Sequence, residues 1–164
     1  MKSYYRIVTL FAVVFFLTAG NAFGKNNAMI LQGIKSVRVN IASTLEKSGK
    51  RSQLQQDVEL KLRLAGIKVD ANSSQTLVVE VIVETLTPNS SSQVLGNYGT
   101  VKISLEEEVF LSRNPRISLT ARTWEGNEMV VLHGPPDDFW KRCRDYVRDF
   151  TDGFINDYLS VNPK

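Results

Sequence analysis

From Ile34 to Ile41 the chain alternates, with Val37, Val39 and Ile41 on one side and Ser36, Arg38 and Asn40 on the other. A period of two over β-branched residues is the pattern of a half-buried strand. The preceding residues, 25–32, are a polar lead-in with little pattern, and "LEKSGKR" at 45–51 reads as a loop. The period then changes. Leu54, Val58, Leu62 and Ala65 recur every three or four positions, which predicts a helix over 53–65. Ser52 and Gln55 suit a capping box at its start. Asp57 with Lys61 and Glu59 with Arg63 are acid-first pairs four apart. Gly66 is placed to stop the helix in a left-handed turn, with Ile67 closing over the last turn.

Extended chain resumes at 67–69, and "DANSSQ" at 70–75 reads as a turn. "TLVVEVIVETL", Thr76 to Leu86, is the most strand-like segment and predicts a central strand. The Ser-, Gly- and Pro-containing stretch 87–99 reads as a mobile hairpin loop. Alternation returns from Val101 to Leu111, where Glu106 and Glu108 fall on the wet face and Glu107 interrupts the apolar one. Arg113-Asn114-Pro115 predicts a turn, Ile117 to Trp124 a third long strand, "EGNE" at 125–128 a turn, and "MVVL" at 129–132 a short edge strand.

Pro135, Pro136, Asp137 and Asp138 suit the start of a second helix. Phe139, Cys143, Val147, Phe150, Phe154 and Tyr158 form its apolar stripe, and Asn162-Pro163 ends it. The far side carries charges, with Asp138 placed to pair with Arg142, and Arg144 and Arg148 with acids three or four residues away. Gly153 inside the helix predicts close packing or a bend. The order strand–helix–strand–strand–strand–helix predicts an α+β fold. It is a two-layer sandwich with a mostly antiparallel sheet of about four strands and two helices packed on one face. The first crossover is expected to be right-handed between parallel strands, with hairpins after it.

The N-terminus adds a destination. Lys2 and Arg6 precede an apolar run from Ile7 to Gly20, and Ala22-Phe23-Gly24 supplies small residues two positions apart. This is the layout of a cleaved export signal over 1–24, followed by a single domain over 25–164. The run is shorter than the roughly 20 residues that span a bilayer. No cysteine near its end offers a lipid attachment point, so no stable membrane anchor is expected after cleavage. The expected location is periplasmic or secreted.

Loss of the leader also changes the charge. Of 20 basic and 17 acidic residues in the whole chain, the leader holds two basic and no acidic ones, leaving a net charge of +1. That balance gives no ground for nucleic acid as a partner. Cys143 is the sole cysteine, so no internal disulfide can form. On the apolar stripe it reads as a buried small hydrophobe.

"DVELKLRLAGIKV" at 57–69, "LSRNPRISLTARTW" at 111–124 and the ending "FINDYLSVNPK" at 154–164 together resemble a group of small exported bacterial proteins of unassigned activity. The topology is similar, loosely, to small domains of cell-envelope assembly proteins. The resemblance implies the fold and an envelope setting, and it brings no catalytic residues with it.

Candidate chemistry is sparse. Glu107 is the acid to test, as a general base, as the outward residue of a β-bulge near 106–108, or as the partner of an arginine such as Arg122. His133 is the sole histidine, and nearby Asp137 and Asp138 are explained as helix-start residues, so no metal or cofactor is implied. "GNYG" at 96–99 follows no strand–helix junction and makes no phosphate loop. The leading expectation is therefore a non-catalytic exported domain that binds another envelope protein or serves it as an accessory. Its expected contact surface is the open sheet face with Lys102, Glu106, Glu108 and Arg122, together with the loop around Tyr98. The alternative is a small-ligand protein with Trp124, Trp140 and Tyr146 lining a pocket between helices and sheet. A small hydrolase using Glu107 or His133 comes third.

Overall fold

In the computed structural model, which describes residues 28–44, 49–86, 96–132 and 136–163, the alternating segments are strands and both apolar stripes are helical. A 3-10 turn, Met29–Leu31, leads into β1, Ser36–Ser43, α1, Lys50–Leu64, and β2, Lys68–Val69. Then come β3, Thr76–Leu86, β4, Gly96–Leu111, β5, Asn114–Leu132, and α2, Pro136–Val161. Residues 1–24, where an export leader is expected, residues 87–95, His133 and Pro135 lie outside the described residues.

The sheet has the order β2-β1-β3-β4-β5. β1 is parallel to both β2 and β3, while the much longer β3–β4 and β4–β5 pairings are antiparallel. Val37, Val39 and Ile41 of β1, Leu77, Val79 and Val81 of β3, and Val101, Ile103 and Leu105 of β4 bury one face. Leu54, Val58 and Leu62 of α1 and Phe139, Cys143, Val147, Phe150 and Phe154 of α2 cover that face, which completes the expected two-layer α+β sandwich. The extended chain at 67–69 becomes the two-residue β2, and the separate edge strand expected at 129–132 is the end of β5, which gives five strands in all.

Several local expectations change. Gly49, in the left-handed region at φ 67, starts α1 at Lys50, so Ser52 already lies inside the helix and no capping box forms. Gln55 Nε2 instead donates to Glu59 Oε1 at 3.0 Å, and Arg63 reaches Glu59 at 2.7 Å. The Gln55 bond, with Arg63 behind it, holds the Glu59 carboxyl below its ordinary value. Asp57 and Lys61 do not pair with each other; both reach across to α2. Arg144 grips Asp57 with two bonds of 2.6 and 3.0 Å, and Lys61 pairs with Asp152. On α2, Arg148 pairs with Asp145 as expected, but Asp138 and Arg142 make no ion pair with each other. Gly66, at φ 86, ends α1 as expected, with the Ile67 N–H donating to Leu62 O at 2.9 Å and Ile67 buried.

The "EGNE" turn is absent, and β5 runs unbroken through it for 19 residues. Irregularities between Lys102 and Ser104 and between Leu105 and Glu106 place the extra residues on β5, as bulges. Gly126 serves the first of these through close contact. A Cβ there would lie 2.7 Å from Ile103 Cγ2 and 2.8 Å from the Trp124 ring. β4 starts at Gly96, so "GNYG" is strand and not loop. The close packing expected at Gly153 is not found, since a Cβ there would meet nothing within 4 Å, and α2 continues through it.

The lead-in is also structured. Leu31 is fully buried, and Asn162, just past α2, ties the turn down. Its Oδ1 accepts the Gly33 N–H at 2.8 Å, and its Nδ2 donates to Leu31 O and Tyr158 O at 2.9 and 3.0 Å. Tyr158 adds a hydroxyl bond to Ile34 O at 2.9 Å.

Candidate functional site

The face of the sheet opposite the helices is built in cross-strand rows. Arg38, Thr76, Glu106 and Arg122 form one, Asn40, Val78, Ser104 and Glu125 the next, and Ala42, Glu80, Lys102 and Glu128 a third. Arg122 reaches Glu80 at 3.1 Å and Glu125 at 3.9 Å, while Lys102 pairs with Glu125 and, at 3.6 Å, with Glu128. The Arg122–Glu80 pair crosses the middle row, where Val78 and Ser104 are buried. The hydrogen bond from Lys102 keeps the Glu125 carboxyl below its ordinary value, and the same bond raises Lys102. Tyr98, near the far end of β4, hydrogen-bonds Glu84, which raises its phenol. Lys102 and Arg122 are thus partnered within the molecule, whereas Glu106 and Glu108 have no ion-pair partner among the described residues.

Glu107 is half-buried. The bulge beside it puts its extra residue, Thr123, on β5, so β4 keeps its alternation and Glu107 stays on the face of Leu105 and Val109. The Thr123 hydroxyl donates to Glu107 Oε2 at 2.6 Å. Arg122 is turned to Glu80 instead, so the expected Arg122–Glu107 pair is absent. Glu107 therefore serves the β5 bulge, and its immediate partner is one neutral hydroxyl.

The space between helices and sheet is filled at the residues named for a pocket. Trp124 is buried, edge-on to Phe154 at a centroid distance of 5.1 Å, with its Nε1 donating to Asp157 at 3.0 Å. Trp140 and Tyr146 pack against the core as partly buried side chains. A groove of about 390 Å³ lies instead between the outer sides of α1 and α2, floored by Leu54, Val58 and Val147 and rimmed by Lys61, Arg144 and Arg148. Those three cations are already paired with acids. Cys143 is buried in the core as expected, and burial pushes its thiol up to about 11, which suppresses the thiolate. No group of three or more metal-ligating side chains occurs among the described residues.

The feature that alternation alone did not reveal is an arm. β3 stops pairing with β4 at Glu106, but β4 and β5 continue together to the turn after Leu111. Residues 107–111 and 114–121 form a two-stranded ribbon standing beyond the sandwich, and every residue from 112 to 120 is exposed. Val109, Leu119 and Ala121 share one side of it by register, Leu111 and Ile117 continue that side by alternation across a register shift at Phe110–Leu111, and Phe110 points to the other. Phe110 is 63% exposed, Ile117 47% and Leu119 42%. Reading Ile117 and Leu119 as core residues is the natural inference from alternation. The missing information is that no third element among the described residues covers them.

No protein-family profile matches the chain, and no curated protein matches it. Solved structures do. A dodecameric PelC variant from Paraburkholderia phytofirmans is 14% identical, over 73% of this chain and 85% of that one, with a TM-score of 0.41. Rare lipoprotein B from Shewanella oneidensis is 13% identical, over 76% and 96%, with a TM-score of 0.30. A minor lipoprotein from Acinetobacter baumannii is 12% identical, over 74% and 93%, with a TM-score of 0.35. No helix among the described residues is long and apolar enough to cross a membrane.

Proposed function

We propose that this chain is an exported, non-catalytic accessory protein of the bacterial cell envelope that works by docking onto protein through its β4–β5 arm. The observation that carries the reading is the arm itself. A two-stranded ribbon standing alone in water is marginally stable, yet this one holds Phe110, Ile117 and Leu119 in solvent. Exposed apolar side chains clustered on a projecting element mark an interaction site. The leader-like sequence at 1–24 and the resemblance to small exported bacterial proteins supply the setting. Burial holds Cys143 as a thiol, which removes it as a nucleophile.

Site-specific photocrosslinking in intact cells tests this. A photoreactive residue at Phe110 or Leu119 is expected to yield discrete protein adducts. The same probe at Leu60 or Leu64, exposed on α1, is the control and is expected to yield none. Equal labelling from both places, or none from the arm, would remove the arm from the function.

A further inference from the structure

We infer that the arm's partner is a second copy of this chain, bound through two arms lying side by side in opposite directions. This rests on the reading of the arm as a protein-docking element and goes further by naming what docks. The arm is polar in a directional sense. Its base carries Glu106, Glu107 and Glu108, its tip carries Arg113 and Arg116, and no acid occurs between Val109 and Thr123. Arg113 and Arg116 have no ion-pair partner among the described residues, and neither do Glu106 and Glu108. Of the two arginines in the row at the base, Arg122 is taken up by Glu80, and Arg38, two strands from Glu106, donates to Thr76 Oγ1 at 2.8 Å.

A two-fold axis through the middle of the ribbon sets each tip beside the other copy's base. Five residues separate Glu108 from Arg113, roughly 17 Å at about 3.4 Å per residue. Opposed arms therefore set acids beside cations at both ends, while parallel arms would set like against like. Glu106, Glu108 and, by alternation, Arg116 share the Phe110 face of the ribbon, so between the charged ends Phe110, Ser118 and Thr120 of each copy meet their counterparts. This is an isologous contact, in which one patch is its own complement and the assembly closes at two copies.

Edge-to-edge pairing along the rest of β5 is blocked by its two bulges and by Pro115, which cannot donate. Contact is thereby directed to the face of the arm. A ribbon about 25 Å long and about 10 Å wide buries roughly 500 Å² in total on such pairing, below the ~1,200 Å² of standard stable complexes. The dimer is accordingly a weak, salt-sensitive one, with a dissociation constant in the micromolar-to-millimolar range.

Analytical ultracentrifugation of the mature protein over a wide concentration range is the test, read with two charge-reversed variants. One reverses the tip, Arg113→Glu with Arg116→Glu; the other reverses the base, Glu106→Lys with Glu108→Lys. Each alone is expected to weaken self-association at least about tenfold. Mixed, they are expected to form a mixed dimer, since each then offers what the other lacks; that recovery also shows that both are folded. A wild-type protein monomeric at every concentration would overturn the inference, and so would a mixture no better than its parts. Arm crosslinks to a different protein by a monomeric chain would overturn it while leaving the docking reading intact. No arm crosslink at all would end both. Flotation of the monomer with phosphatidylethanolamine–phosphatidylglycerol vesicles, lost on reversing the tip, would likewise replace the second copy with a lipid surface.

Discussion

Replacing Asn162 with alanine should loosen the N-terminal turn from the body. The side chain makes three hydrogen bonds, to the Gly33 N–H and to the carbonyl oxygens of Leu31 and Tyr158, at 2.8, 2.9 and 3.0 Å. Each such bond is worth about 0.5–1.5 kcal/mol net. The Gly33 amide is exposed, so water replaces its partner readily. The two carbonyls are half-buried and lose more. The expected loss is about 2 kcal/mol, or a fall of roughly 6–10 °C in Tm for a domain of this size. Hydrogen exchange should show the Gly33 amide unprotected in the variant. Asn162→Asp keeps the acceptor for Gly33 but sets a carboxylate against two carbonyls, which raises its folded pKa above the ordinary value of about 3.9. Its destabilisation is therefore present at neutral pH and relieved as pH falls through that folded value, where the acid regains a proton to donate. A loss under about 0.5 kcal/mol for Asn162→Ala, with Gly33 exchanging freely in the wild type, would refute the reasoning.

Gly99→Ala should be among the most damaging substitutions, because the new Cβ would lie 2.2 Å from the backbone oxygen of Ile82 and force β3 from β4; about 3 kcal/mol or more is expected in urea unfolding. Cys143 should resist thiol reagents in the native protein and react only on unfolding; rapid native labelling would contradict its burial. For the Lys102–Glu125 pair, Glu125 is lowered and Lys102 raised by their hydrogen bond. Its stabilisation therefore fades as pH falls through the folded Glu125 value and again as pH rises through the folded Lys102 value. Lys102→Met should flatten both limbs by no more than about 1 kcal/mol, since Glu125 is largely solvated. Glu107→Gln, which keeps an oxygen for the Thr123 hydroxyl, should shift Tm modestly and leave arm crosslinking unchanged; loss of crosslinking at constant Tm would give Glu107 a direct role.

Both helices and the core faces of β1, β3 and the body of β4 are legible from periodicity, because there one face meets apolar neighbours and the other meets water. Periodicity fails where tertiary contact overrides it. Glycine at 126 reads as a turn signal, but it removes a Cβ that would strike Ile103 and Trp124 inside a continuous strand. The lead-in reads as patternless because Leu31 is a single buried anchor whose support comes from Asn162, 131 residues away. Ser52 and Gln55 suit a cap in isolation, yet Gly49 starts the helix sooner. The candidate site divides similarly. The charges of the arm were legible as residues, with Glu106 and Glu108 already on a wet face. Their separation from the tip arginines becomes meaningful only because β3 stops at Thr76 while its neighbours continue.

The clasp at Asn162 also settles what gathers at the root of the arm. Ala28 begins beside the turn that Asn162 holds, Pro163 follows Asn162 directly, and Gly33, Ile34 and Glu107 line one shallow groove at the root of the arm. The N-terminal turn, the end of α2 and the arm therefore share one pole, with the paired residues Leu86 and Gly96 at the other. A bulky handle attached at Ala28 or Pro163 would crowd the arm. A circular permutant that joins Ala28 to Pro163 and opens between Leu86 and Gly96 would place its new termini at the opposite pole, leaving the arm unobstructed for display or immobilisation.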